Sequence, residues 1–326
     1  MQEDEAAMAK SARENLKVAV LAGGISDERE ISLDSGKSAK EALQEAGYGS
    51  VELLDPGEEG FLEALASGGY DVAFIALHGK GGEDGMIQSI LEYLNIPYTG
   101  SDAASSACAI DKDVSKLLYA REGIPTARGV VLKRGDTIDI ERIVDVVGRE
   151  SFVKPAANGS SYGASLVKDS ADLDAAIEHA FEYGDKILVE EREVGTEVTV
   201  GVIGDGPTLR ALPIVEICMP GKAEYYDLEV KYSDPTDIHR IPARLPEETY
   251  QEVQRLACCA HEALGCYGIS RSDFIVTAKG PVILETNTIP GMTPTSLFPD
   301  EVRHAGSSFP EACAELVDLA LARAGR

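Results

Sequence analysis

The sequence predicts an α/β domain built on a mostly parallel sheet, followed by two α+β lobes. Three observations lead there. Short apolar runs alternate with helical patterns from Lys17 to Leu94, the order expected of a parallel sheet with helices on both faces. Strands and helices resume after Lys112, and a third set begins near Glu191. A chain of 326 residues also exceeds one typical core and suggests two or three subdomains. The expected boundaries are a tail over 1–16, a parallel α/β domain over 17–110, a central lobe over 111–190 and a C-terminal lobe over 191–326.

Lys17 to Ala22 is an apolar run that ends in Gly23-Gly24 and reads as a buried strand. A helix follows from about Ile31 to Ala46, with Gly47 as its stop. Strand Val51–Leu54, a helix near Glu58 to Ala66 and strand Asp71–Leu77 come next, and His78 falls at the last strand's exit. Apolar residues at 86, 87, 90, 91 and 94 have helical spacing. Ligands of such sheets sit beyond the carboxyl ends of the strands, where Gly23-Gly24 and His78 both lie. A short helix near Ser101 to Ala109 leads out of this domain.

The central lobe reads as helix Val114–Arg121, strands at 129–132, 152–154, 165–167 and 187–190, and helices near 139–147 and 171–183. In the last region, strands are expected over 197–203 and 209–216, a helix over 248–264, and apolar strand sequence from Phe274 to Glu285. The tyrosine-bearing stretch from Gly221 to Arg240 is long for a plain connection and reads as a binding loop or lid.

Composition excludes several classes of function. A net charge of −26 argues against nucleic acid and against an anionic membrane surface, since phosphate binding needs clustered lysine and arginine. No apolar stretch approaches the roughly 20 residues of a membrane span. Met1 to Glu14 is acidic and has no hydrophobic core, unlike a secretory signal. The six cysteines form no CxxC pair, which fits buried, reduced thiols in a cytoplasmic protein.

Chemistry concentrates at the exit of the last apolar strand, Leu284-Glu285-Thr286-Asn287, with Pro290-Gly291-Met292-Thr293 after it. Glu285 and Asn287 are two apart, so a strand points both to one face. A hairpin would bring Asp273 alongside Glu285. These hard oxygen donors suit Mg²⁺ or Mn²⁺ rather than zinc. Arg271 shares the face of Asp273, and with the N–H of Gly291 it could form an oxyanion site. Gly159-Ser160-Ser161-Tyr162-Gly163 can turn backbone N–H groups toward an anion.

Taken together, the ordered blocks resemble the ATP-grasp D-alanine–D-alanine ligases over nearly the whole chain after residue 16. They run from Gly23-Gly24-Ile25-Ser26-Asp27-Glu28 through Ala76-Leu77-His78-Gly79, Asp111-Lys112 and Val153-Lys154-Pro155. Lys231-Tyr232, Arg271-Ser272-Asp273 and Ser296-Leu297 continue the series. The resemblance implies an ATP-grasp fold in which two lobes sandwich ATP. It implies ligation of two D-alanines through a D-alanyl phosphate, with ATP and two Mg²⁺ or Mn²⁺ ions, for peptidoglycan precursors, in a cytoplasmic homodimer.

The resemblance also implies roles. Lys112, Lys154, Ser160, Ser161 and Lys231 would meet the phosphates, and the strand ending at Glu190 would read adenine while Glu197 holds ribose. Asp273, Glu285 and Asn287 would hold the metal, and Arg271 and Gly291 the oxyanion. Glu28 and His78 would receive the first D-alanine, Ser296 and the Leu297 backbone the carboxylate of the second. Glu28, Ser160 and Tyr232 would close loops over the site. Tyr232 would favour an amine acceptor over the hydroxy acid of a D-alanine–D-lactate ligase, and D-serine is the other alternative acceptor. Ala156-Ala157-Asn158 departs from the charged or polar residues common there in the family. A dinucleotide-binding oxidoreductase is disfavoured, because the first strand lacks GxGxxG.

Overall fold

The computed structural model describes residues 13–159, 162–218 and 238–325. Strands β1 (Lys17–Leu21), β2 (Ser50–Leu54) and β3 (Val72–Ile75) form a parallel sheet in the order β2-β1-β3. The central β1 is buried on both faces from Val18 to Leu21, as a strand covered by helices requires. Helix α1 (Arg29–Glu45) lies so close over this sheet that a Cβ at Gly36 would stand 2.2 Å from the Ala22 Cβ. Helices α2 (Phe61–Ser67), α3 (Met86–Tyr93) and α4 (Ala103–Ile110) complete the region.

Asp111 alone separates α4 from α5 (Lys112–Arg121). Its carboxylate caps α5 by accepting from Asp113 N and Val114 N, and it also accepts from Lys186 Nζ at 2.6 Å. The second sheet is antiparallel, in the order β4 (Gly129–Lys133), β7 (Lys186–Glu191), β5 (Ser151–Pro155), β6 (Ser165–Val167). Helices α6 (Ile140–Val147) and α7 (Leu173–Glu182) bury Ile143 and Ile177 against its Val153, Ile187 and Val189.

The third sheet is built around β8 (Gly195–Gly204), which runs antiparallel to β12 (Gly268–Thr277) along the full length of both. On its other side β8 meets two short strands, β9 (Arg210–Ala211) and β10 (Val215–Ile217). The single strand expected over 209–216 is thus divided, and Pro213, which has no N–H for a ladder, stands in the break. β10 pairs with β11 (His239–Arg240), and β13 (Gly280–Asn287) forms the hairpin with β12. Helix α8 (Glu247–Ala263) covers one face of this sheet.

Two C-terminal helices have no counterpart in the sequence expectations: α9 (Leu297–His304) and α10 (Phe309–Arg323). Helix α10 begins with a capping box between Ser308 and Glu311. Its Leu316, Val317 and Ala320 join one core with Val18 and Val20 of the first sheet and Ile203 and Ile269 of the third. All six cysteines are free; Cys266 and Cys313 are buried, whereas the other four are partly exposed.

Arg323 secures the end of α10. It donates to the carbonyls of Gly100 and Tyr98 at 2.9 and 2.8 Å, and its guanidinium lies 4.6 Å from the ring centroids of both Tyr98 and Tyr267. Arg323→Ala is expected to lower unfolding free energy by about 1 kcal/mol, the scale of such contacts at a largely exposed site. Arg323→Lys should recover little of this, because an ammonium cannot stack as a planar fork does. Urea denaturation followed by circular dichroism measures both.

Candidate active site

The β12–β13 hairpin sets the geometry. Asp273 pairs with Glu285 and Arg271 with Asn287, so strand alternation gathers all four side chains on one face. The opposite face carries Ser272 and Thr286, whose hydroxyls lie 2.8 Å apart, and Tyr119 OH donates to Thr286 Oγ1 at 2.8 Å. Beyond Asp273 the register shifts, leaving Leu284 as an extra residue in β13.

Thr199, opposite Asp273 on β8, links the basic and acidic groups. Its hydroxyl accepts from Arg271 Nε at 2.9 Å and donates to Asp273 Oδ1. Arg271 also donates to Asp273 Oδ2 at 3.2 Å. Nothing local in the sequence marks Thr199; only pairing across β8 brings it in.

A cleft of about 580 Å³ opens between the second and third sheets. Phe152, Leu166, Ile275 and Leu284 give it apolar walls, and Lys112, Lys154, Glu190, Glu197, Asp273 and Glu285 supply its charges. Lys112, at the first turn of α5, donates to the Asn158 carbonyl and pairs with Glu285 Oε2, both at 2.9 Å. Lys154 Nζ pairs with Glu190 Oε2 at 2.8 Å, and Lys116, unnoticed in the sequence, holds Oε1 of the same carboxylate. Burial works against the Glu190 charge, yet the two ammoniums keep its carboxyl below the ordinary value.

A second cavity of about 510 Å³ adjoins the first, and Glu285 lines both. Glu28, His78, Arg271, Gly291, Ser296 and Leu297, expected from distant parts of the sequence to meet substrate, all line it. Ser296 caps the start of α9 in position, and its hydroxyl accepts from Thr293 N at 3.1 Å. A Cβ at Gly291 would stand 2.8 Å from Ser296 Oγ, so the approach there suits glycine. Gly159 lies close to Glu28 in the same way, with 2.9 Å between a built Cβ and Oε2. Ser160, Ser161, Lys231 and Tyr232, and most of the stretch from Gly221 to Arg240, lie outside the described residues.

Glu83 is a further acid of this cavity. Its carboxylate accepts from Gly79 N at 2.8 Å, while burial, with Glu28 next, pushes its pKa well above the carboxylate range. Its signal in the sequence was its place between Gly82 and Gly85, in the loop after His78. His78 is buried, with Nε2 2.9 Å from Ser35 Oγ. Burial lowers its pKa to about 4.

The paired Asp273 and Glu285, with Asn287 beside them, are all hard oxygen donors on one face, a set that fits Mg²⁺ or Mn²⁺. Among the described residues no group of three or more His, Cys, Asp or Glu is gathered to hold a metal, here or elsewhere; Asp273 and Glu285 supply two carboxylates and Asn287 an amide oxygen.

Residues 118–318 match the family model described as the D-ala D-ala ligase C-terminus, and 55–101 match the corresponding N-terminus. A D-alanine–D-alanine ligase of Desulforamulus reducens is 43% identical over 312 residues, spanning 94% of this chain and 99% of the relative. That of Citrifermentans bemidjiense is 44% identical over 305 residues, spanning 93% and 96%. Among solved structures, the Bacillus anthracis D-alanine–D-alanine ligase complexed with ATP aligns with TM-score 0.80 at 28% identity, covering 95% of this chain and 98% of that one. Another structure of the B. anthracis enzyme gives 0.82 at 31% identity, with 95% and 99% covered.

The depressed His78 pKa has a definite consequence for stability. The unfolded chain takes up a proton near the ordinary value of 6.5, whereas the folded chain resists it until about 4. The His78 contribution is therefore fully present above pH 6.5 and is lost as pH drops from 6.5 toward 4. Buried His261, also lowered to about 4, acts with the same sign. Buried Glu83 and Glu301, whose pKa values are raised, act with the opposite sign over this range, so the test is a difference: the urea midpoint of the wild type relative to His78→Gln should fall between pH 6.5 and pH 4.

Proposed function

We propose a two-step ligation mechanism for this chain, which belongs to the D-alanine–D-alanine ligase family. The reaction consumes ATP and joins two D-alanines into D-alanyl-D-alanine, releasing ADP and phosphate. The observation that carries the reading is the hairpin register, which sets Arg271, Asp273, Glu285 and Asn287 on one face at the junction of two cavities. ATP fits the larger cleft, where apolar walls suit adenine and lysines suit phosphate. The amino acids fit the second cavity, which has acids for an ammonium and an arginine for developing charge.

In the first step a carboxylate oxygen of one D-alanine attacks the γ-phosphorus. The bond to the bridging oxygen breaks, ADP leaves and an acyl phosphate remains. Lys112 and Lys154 orient the phosphates, and Glu28 receives the D-alanine ammonium. In the second step the amine of the other D-alanine attacks the acyl carbon. Arg271 and the Gly291 N–H steady the tetrahedral oxyanion until phosphate departs and the amine gives up its proton. Asp273, Glu285 and Asn287 would hold Mg²⁺ or Mn²⁺, which neutralises phosphate charge when bound. Ser296 and the first N–H groups of α9 hold the second carboxylate.

Water must stay out, since it would hydrolyse the acyl phosphate. Ser160, Ser161, Lys231 and Tyr232 serve this closure in our reading, with Tyr232 favouring an amine acceptor. In this reading the dipeptide is a peptidoglycan precursor made in the cytoplasm, which its use of ATP supports.

Phosphate release from ATP and Mg²⁺ with D-alanine as sole amino acid, with the dipeptide identified by mass spectrometry, tests the reading. Release only on adding D-serine or D-lactate would overturn the choice of acceptor. No release with any D-amino acid would overturn ligation itself. Arg271→Met is expected to lower kcat by about 10²–10³, the usual effect of losing an oxyanion donor.

A further inference from the structure

Lys116 stands one helical turn after Lys112 on α5, so the two ammoniums leave the same side of the helix. They go to different places. Lys112 reaches Glu285 beside the hairpin, whereas Lys116 reaches Glu190 at the end of β7. Lys116 does not line the nucleotide cleft; Glu190 does, with Lys154 on its other oxygen. Both side chains are nearly inaccessible, at 12% exposure for Lys116 and 5% for Glu190.

The two oxygens of Glu190 are thus shared between two lysines, one behind the cleft and one in it. A buried carboxylate that loses its only counter-ion carries the full desolvation penalty. If Lys154 were alone on Glu190, phosphate would have to compete with that carboxylate for it. With Lys116 in place, Lys154 can turn toward phosphate and leave Glu190 neutralised from behind. Burial lowers the Lys116 pKa and Glu190 opposes that, as expected of an ammonium held in place by this one carboxylate.

We propose that Lys116 is a positioning residue for nucleotide binding, neutralising Glu190 so that Lys154 is released to the triphosphate. This rests on the ligase reading above. Lys116 has no contact with ATP in this role and acts through Glu190 and Lys154.

A double-mutant cycle on the purified full-length enzyme tests it, using Lys116→Met, Glu190→Gln and both together. ATP affinity is read by titration calorimetry with Mg²⁺, and KM for ATP and for D-alanine by dipeptide formation. Lys116→Met should weaken ATP binding about tenfold, the factor carried by one hydrogen bond to a charged group. KM for D-alanine should stay unchanged. In the E190Q background, where no carboxylate is left to retain Lys154, adding K116M should change ATP affinity by less than about twofold.

Unchanged ATP affinity in folded K116M overturns the proposal. So does an equal loss in both backgrounds, which would mean direct contact or a general structural role. Thermal melts establish folding, and if K116M alone does not fold, E190Q compared with the double variant decides the matter. Failure of the wild-type chain to bind ATP or form dipeptide would instead refute the ligase reading, before any variant is compared.

Discussion

The register between β12 and β13 is the constraint on which the site depends. Side chains alternate along a strand, so a slip of one strand by one residue would send Glu285 and Asn287 to the face opposite Arg271 and Asp273. The hydroxyls of Ser272 and Thr286 meet on that other face, and Tyr119 is buried against them. Tyr119 belongs to α5, the helix that also carries Lys112 and Lys116. One buried hydrogen bond therefore ties the strand bearing Glu285 to the helix bearing its counter-ion Lys112. The pairing of Lys112 with Glu285 is the cleft-facing end of the same docking.

The first domain reaches this hairpin through the core it shares with α10. Val18 and Val20 pack with Val317 and Ile269, and Ile269 lies two residues before Arg271 on β12. His78, at the carboxyl end of the parallel sheet, meets Ser35 of α1, whose hydroxyl in turn accepts from Met292 N at 3.3 Å. Residues separated by more than 200 positions are thus brought into register by apolar contact first and by hydrogen bonds second. A substitution in α10 can disturb the second cavity without touching it.

Much of the fold was legible because its signals are local. The strand–helix alternation of the first domain, the glycine after α1 and the apolar spacing of α3 each need only a short window. The side chains of the hairpin were legible for the same reason, since a spacing of two fixes a face whatever surrounds the strand. The division at Pro213 was also written locally, yet the apolar run on both sides outweighed it. The capping box at Ser308 and Glu311 is a local signal of α10, although no helical apolar spacing as plain as that of α3 stands beside it. Thr199 and Lys116 are different in kind. Each acquires meaning only from a neighbour far away in sequence, Asp273 for one and Glu190 for the other. The resemblance pointed to the lysines at 112 and 154, but could not disclose that both are held by carboxylates.

Those carboxylates explain how so acidic a protein accommodates an anion. The described site holds Lys112, Lys116, Lys154 and Arg271 among a larger number of acids: Glu28, Glu83, Glu190, Glu197, Asp273 and Glu285. Lys112, Lys116, Lys154 and Arg271 are each engaged by one of those acids, so none of the four stands as surplus positive charge for a triphosphate. Rearrangement of pairs moves charge without adding any. Added cations are the remaining source, and hard divalent ions are the ones that the Asp273, Glu285 and Asn287 oxygens favour. In this light the acids facing the phosphates do not work against binding. In the proposed mechanism those acids would hold the divalent cation that neutralises phosphate charge alongside Lys112 and Lys154.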